Sequence, residues 1–524
     1  MNQPDATARS DADEKKDVDI HKVTVEALPA TDDGELEDGM VDHAYLNASK
    51  STKFYRGTLF QMFLFGAISF VGPAMSDAIS NLGGGGLSKP YLSNLANSVN
   101  YAASCVVTLV GGPLINKIGI KWSCLIAAII FPLDGSSYYV SAKYAGKDWY
   151  LLFAKILGGF TSGFLYVAET TAMLSYPHVY ERGLYLGIWS AMRNSGSVIG
   201  GAINFATNYS SDAAGGIAWS TYLIFIGFEC TGIIWALLLS ATKKVRRSDA
   251  TRVPYSRDMT WKSEFKALYK HVLNKRVCAT SSADDGDNVL MTLGQTWLVF
   301  IPAFYSFFYG GVYGTYLSLH FSVRSRALSS LITPSATILM VTTYGKFLLD
   351  NKRWSQRRRG WIAFLMWAIP QMACIIWTGI EYGKFGGQEL ALDYATNGRR
   401  WAEAYLPYFI IFTTGYWTQL SLYWILGTFT TDVKASSRTG GLFRAFETAG
   451  QAVSYAINSN TGDKRIPLYV LGVLWVLAVP CMVGLISLIP ERPAEKDDVV
   501  DDETDGSVSR DSALDAEVMA EQAR

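Results

Sequence analysis

The stretch GLYLGIWSAMRNSGSVIGGAIN, residues 183–204, decides the fold. Nearly every residue in it is apolar or small, and it is long enough to cross a hydrocarbon core that takes about 20 residues. Arg193 sits near its middle. A charge at mid-helix costs roughly 2.5–3.5 kcal/mol on insertion scales, so this guanidinium must face protein or water and must have a partner. The segment therefore reads as one helix of a multi-helix membrane bundle, not as a lone anchor.

The rest of the 524-residue chain fits that reading, with 49% hydrophobic and only 18% charged residues. Apolar runs begin near Gly57, Tyr91, Lys121, Trp149, Leu184 and Ile217. After a polar gap they resume near Gly294, Leu328, Gly360, Ala404, Gly440 and Ile466. The expectation is an all-α membrane protein with twelve transmembrane helices in two pseudo-symmetric six-helix bundles. The first bundle is expected over 55–240 and the second over 293–490. Acidic, unstructured tails are expected over 1–54 and 491–524, because they lack the apolar surface to fold alone. The gap at 241–292 is basic. Its WKSEFKALYKHVL places Trp261, Phe265, Leu268 and Val272 on one helical face, suited to the inner leaflet or to a solvated linker.

Lys and Arg concentrate in the loops on the side of the N-terminus, which predicts that both termini are cytosolic. The loop with Arg324 and Arg326 runs against this trend. Asn208-Tyr209-Ser210 forms a glycosylation sequon in a loop expected outside. Six scattered cysteines without a CxxC pair indicate neither a disulfide framework nor a zinc site. No Walker loop, HExxH or G-x-S-x-G is present, so the chain is expected to be no enzyme, with no cofactor, no metal and no nucleic-acid partner.

The two halves echo each other. GPLINKIGIK (112–121) and GKFLLDNKRWSQRRR (345–359) each put a glycine at a helix end before a basic turn. RNSGSVIGGAIN (193–204) aligns without gaps on ETAGQAVSYAIN (447–458), with Gly196 over Gly450 and Asn204 over Asn458. Repeats at matching positions of two six-span halves point to a transporter.

These residues resemble the major facilitator superfamily. Its loop signature reads here Gly112, Asn116, Lys117, Gly119 and Lys121, with Asn116 where the family has an acid. The second copy keeps an acid, Asp350, followed by Arg353. Within that superfamily SFVGPAMSDAISNLGGGG (69–86), SYPHVYERGLYLGIW (175–189), HFSVRSRALSSLI (320–332) and FETAGQAVSYAIN (446–458) resemble the uncoordinated-93-like branch, and its fungal members in particular. The resemblance implies a multi-pass transporter, by secondary-active movement or efflux of a small organic solute, coupled to a proton or cation. The same branch includes non-transporting proteins that regulate ion channels or escort receptors, and these would need a membrane-protein partner. The plasma membrane is the expected location, with vacuolar or other endomembranes as the alternative.

The substrate or ion-coupling candidates are the intramembrane charges Asp77, Lys155, Glu169, Arg193, Glu229, Arg444 and Glu447. Depth along the spans suggests Arg193 with Glu169 or Glu229, Asp77 with Lys155, and Arg444 with Glu447 at i, i+3. These pairs could hold helices in register, or one carboxylate, Glu169 or Glu447, could change protonation during transport. The resemblance puts spans one, four, seven and ten around a central cavity. Its aromatic wall would then include Phe304, Tyr309, Tyr313, Tyr408 and Trp417.

Overall fold

The computed structural model describes residues 41–82, 87, 90–144, 146–178, 181–210, 219–253, 260–273, 295–351, 353–388, 390–429, 433–460, 462–463 and 465–489. The expected tail over 491–524, and residues 1–40 of the other, lie outside these.

The described residues form twelve helical rods. Span one is Thr58–Val71 with Pro73–Ser80, and span two is Pro90–Leu109 with Gly111–Ile118. Spans three to five are Ile120–Lys143, Asp148–Ser175 and Arg182–Asn208. Span six is Trp219–Cys230 with Gly232–Leu238, and span seven is Gln295–Ser306 with Tyr309–His320. Span eight is Val323–Thr343, ending in a π-turn over Tyr344–Leu349. Spans nine to twelve are Gln356–Phe385, Gly398–Phe429, Val433–Asn458 and Arg465–Ser487. Among the described residues, 6 helices are long and apolar enough to cross a membrane unaided, or up to 8 if the bent pairs of spans one and two count as single spans. Spans five, seven, ten and eleven fall below that test. They are broken or rich in polar and small residues, as expected of helices that face other helices instead of lipid.

Breaks fall where the chemistry demands them. Gly72 precedes Pro73, which cannot donate to the turn before it, and span one bends there by 40°. Span seven, its counterpart in the second half, is interrupted at Phe307 and Phe308. Gly119 ends span two at φ +84, a left-handed conformation that suits glycine.

Within the halves, the repeat seen in the sequence becomes geometry. A Cβ on Gly196 would lie 2.7 Å from the Phe70 carbonyl oxygen of span one. A Cβ on Gly450 would lie 2.0 Å from the Phe304 carbonyl oxygen of span seven. The matched glycines thus let spans five and eleven touch the backbones of matched neighbours. Across the halves, span five packs on span eight and span two on span eleven.

An even number of crossings puts both ends of the described chain on one face, called here the terminal face. Residues 41–54, expected as part of an unstructured tail, are instead folded onto it in helices His43–Leu46 and Lys50–Arg56. Asp42 accepts from Arg246 Nε at 2.8 Å, and Tyr45 donates from its hydroxyl to the Lys53 carbonyl at 2.8 Å. Backbone bridges join Val41 to Thr251 and Gly57 to Arg246. Arg246 of the basic linker supplies the partner that Asp42 lacks within the segment itself.

Candidate functional site

Three layers of polar contacts lie between the halves. The middle layer holds Arg193. Its Nε and an Nη both donate to Asp77 Oδ2, at 3.1 and 2.9 Å. Both side chains are largely but not wholly buried, 12% and 24% exposed. The Arg193 charge also acts on Tyr166 and Glu169 of span four and on Tyr416 of span ten. Tyr309 lies close enough to Asp77 and Tyr416 to feel both, and its buried hydroxyl has no hydrogen-bond partner. Tyr408 stacks on Phe412 with centroids 4.4 Å apart, and Phe412 meets Tyr309 edge-on at 4.9 Å. The centre is therefore one ion pair from the first half facing phenols and rings from the second.

The expected partners of Arg193 are corrected by this geometry. Counted at 1.5 Å per residue from each helix start, Asp77 lies about 12 Å further from the terminal face than Arg193. The bend at Gly72 and the length of the arginine side chain close that gap. Glu169 instead accepts from the Ser69 hydroxyl. Lys155 pairs with Asp134 at 2.8 Å and not with Asp77. Asp134 is an intramembrane acid absent from the sequence-derived candidates, although an aspartate in the middle of span three is visible by counting. Arg444 and Glu447 do pair, at 2.9 Å, and Gln419 of span ten donates to the same carboxylate at 3.0 Å.

Of the other expected wall residues, Tyr313 accepts from Thr378 of span nine, and Trp417 donates to the Met340 carbonyl while stacking on Tyr344. Phe304 packs among Phe300 and Phe308. These three serve packing within the second half. Tyr101 and Tyr455 take their place at the centre, stacked across the halves at 5.7 Å.

The layer toward the terminal face is closed. Arg182, at the start of span five, donates to Leu174 O at 3.0 Å and to the Gly427 carbonyl at the end of span ten. Arg444 reaches Thr170 Oγ1 at 3.3 Å and lies over the Tyr166 ring at 4.9 Å. The two loop copies lock here in matching ways. Asp350 accepts the backbone N–H groups of Gly183 and Leu184 at 3.0 and 2.6 Å, at the positive N-terminus of span five. Gly183 leaves room for it, since a Cβ there would lie 2.5 Å from Asp350 Oδ1. Arg359, not the exposed Arg353, supplies the basic neighbour.

In the first copy Asn116 Oδ1 accepts from Ser437 Oγ at 2.9 Å, at the start of span eleven. The missing acid comes from the linker. Glu264, on helix Trp261–Leu273, is 1% exposed and accepts from Asn116 Nδ2 at 3.1 Å and Arg438 at 3.4 Å. No signal in the loop itself could have shown this. The helix exposes Trp261, Phe265 and Tyr269 with Lys262 and Lys266, while Glu264 turns inward. Val272 lies outside the residues whose side chains are described. Lys121 donates to the Leu237 carbonyl at 2.9 Å, and Lys117 is half-buried in the last turn of helix Gly111–Ile118.

The Asp350 carboxyl is pushed up to about 6 by burial, against the two N–H groups and Arg359, which lower it. The unfolded value is about 3.9. The folded state therefore holds the proton more tightly, and this group's stabilisation is present below about pH 4 and lost as pH rises through about 6. Melting temperatures measured from pH 4 to 7 should fall less steeply for Asp350→Asn than for the parent protein. An unchanged slope would show that Asp350 is solvated.

The opposite face is also closed. Asn94 donates to Thr315 and to the Asn458 carbonyl, both at 2.9 Å, and Ser98 donates to the Ala452 carbonyl at 3.0 Å. Arg324, which ran against the charge bias, is held by Asp393 through two bonds of 3.0 and 2.8 Å. Asn208 is 4% exposed inside the last turn of span five and donates to the Asn204 carbonyl at 2.9 Å. That placement speaks against its glycosylation in the folded protein. Among the described residues no group of three or more His, Cys, Asp or Glu is placed to hold a metal ion.

Two six-helix halves related by a repeat, with broken spans and an enclosed ion pair between them, define a membrane transport protein. The sequence profile of the Major Facilitator Superfamily matches residues 57–455, and the chain belongs to that family as a multi-pass membrane transporter. It is 32% identical over 410 residues to "Notoamide biosynthesis cluster protein O'" of Aspergillus versicolor, covering 78% of this chain and 83% of that one. It is 26% identical to UNC93-like protein 1 of Arabidopsis thaliana, over 84% and 92% of the two chains. These relatives fit the uncoordinated-93-like branch. Among solved structures, the human organic anion transporter MFSD10 superposes with a TM-score of 0.54 at 10% identity, over 83% of this chain and 99% of that one. A D-xylose-proton symporter does so with a TM-score of 0.51 at 15% identity, over 83% and 97%.

Proposed function

We propose that the chain is a secondary-active transporter for a small, ring-containing organic solute, bound at the centre between the halves. The observation that carries this is the partly exposed Arg193–Asp77 pair facing Tyr166, Tyr309 and Tyr416. A guanidinium with an adjacent carboxylate can orient a polar or charged end, while rings bury an apolar body. A relative named for a biosynthesis cluster fits outward movement of an organic product. The charge bias of the loops supports a cytosolic terminal face, and we take the plasma membrane as the site of action.

A lost acid at Asn116 would by itself favour a non-transporting regulator or escort. Glu264 supplies an acid at that point, which weakens the case. The test is counterflow in proteoliposomes. Aromatic carboxylates and amines are screened for raising the melting temperature, and those that do are loaded with radiolabel. Saturable exchange supports the proposal. Absence of exchange for every stabilising compound, with a stoichiometric membrane partner copurifying, sinks it.

A further inference from the structure

Spans one, two, three, four and six of the first half line a polar cavity of about 40 Å³ whose walls include Asp134, Lys155, Glu229 and Asp77. Lys155 Nζ is 2.8 Å from Asp134 Oδ2 and 4.5 Å from the centre of the Tyr138 ring. Ser76 donates to the same aspartate oxygen at 3.2 Å. One ammonium is thus matched to one carboxylate. Glu229 is the surplus acid. It is 1% exposed, and its Oε2 has no hydrogen-bond partner, nor has Asp134 Oδ1.

The space for both acids is built in. A Cβ on Gly135 would lie 1.8 Å from Glu229 Oε2, and one on Gly158 would lie 2.9 Å from Asp134 Oδ1. Alanine at either position would displace a carboxylate.

Charges around Glu229 do not offset it. Asp77 of span one and Arg193 of span five neutralise each other. Tyr101 of span two, Tyr138 of span three and Tyr166 of span four are phenols. On span six itself Tyr222 and Cys230 are neutral, and Gly232–Leu238 carries no ionisable side chain. Two carboxylates with one cation in a water-poor core leave an unpaired buried charge, which a proton removes at the least cost.

We propose that Glu229 holds a proton in this closed state, and that the Asp134–Lys155–Glu229 cluster is where the coupling proton of the transporter binds. The inference rests on the transporter reading for its role but not for its test. When the cavity opens to water, the Glu229 carboxyl gives its proton to a water molecule, and the Lys155 ammonium is then shared between two carboxylates. Because the cavity also touches Asp77, that shift is felt at the pair proposed to hold the solute.

The experiment uses the full chain in phosphatidylcholine vesicles and needs no solute. Infrared difference spectra at neutral pH should show a protonated-carboxyl band in the parent that is lost in Glu229→Gln. The band should also be lost in Asp134→Asn, although Glu229 is still present, because Lys155 then pairs with Glu229 and lets it ionise. A role confined to packing would not remove it in that second variant. A pH jump on a solid-supported membrane should give a transient proton current in the parent and none in either variant. A band and current that persist in both variants overturn the proposal. So does a band that vanishes on adding sodium chloride at constant pH, which would assign the cluster to sodium. Failure to find any transported solute would count against the transporter reading alone.

Discussion

Arg193→Met should leave little folded protein, and adding Asp77→Asn to it should restore the fold without restoring transport. Breaking a buried ion pair from one side costs about 3–5 kcal/mol, since the remaining charge keeps its desolvation penalty. That is a large part of the 5–15 kcal/mol that ordinarily holds a domain together. Both Arg193 bonds end on one Asp77 oxygen and the pair is largely but not wholly buried, so the lower end of the pair-breaking range applies. Removing both charges removes the penalty, and methionine fills much of the arginine volume. The single variant should therefore aggregate on detergent extraction, and the double variant should run as the parent does in size exclusion. If the pair orients the solute, counterflow by the double variant should fall at least tenfold. Full activity in a well-folded double variant would reduce the pair to a structural brace.

The second large effect is expected at Gly201. A Cβ there would lie 2.0 Å from the Ser330 carbonyl oxygen, a backbone atom that cannot swing aside. Spans five and eight meet at this point in the half of the membrane away from the terminal face. Gly201→Val should wedge the halves apart on that side and hold the transporter open there. A membrane-impermeant thiol reagent should then modify a cysteine placed at Ser98 more than tenfold faster than in the parent background. Equal rates would show that the close approach of the two helices relaxes without opening the seam. Gly227, whose added Cβ would meet nothing within 4 Å, is the control position.

How much could be read from residues alone differed between these elements. The twelve rods and the repeat were legible because apolar runs and the glycine register are local properties of the chain. The match of Gly196 with Gly450 marked equivalent positions in the two halves, but not the backbones that they touch. The Arg444–Glu447 pair was legible for the same reason, since i, i+3 neighbours on a helix meet without help from the fold. Arg193 was harder. A depth count assumes a straight helix, and the bend at Gly72 moves Asp77. Asp134 is legible by counting along span three, whereas the place of Glu264 is not. Its contact with Asn116 joins residues 148 apart through a linker helix whose position depends on both halves. The folded segment at 41–54 was lost for a related reason. Its composition is that of a soluble tail, and only the basic linker beside it gives it a partner.

Glu264 has a consequence for how the molecule could be observed at work. The acid at that seam rides on the connector between the halves, so the connector must shift whenever the seam parts. A fluorophore on exposed Lys266, two residues along the same helix, would turn each opening into an optical signal while leaving every residue of the central chamber untouched.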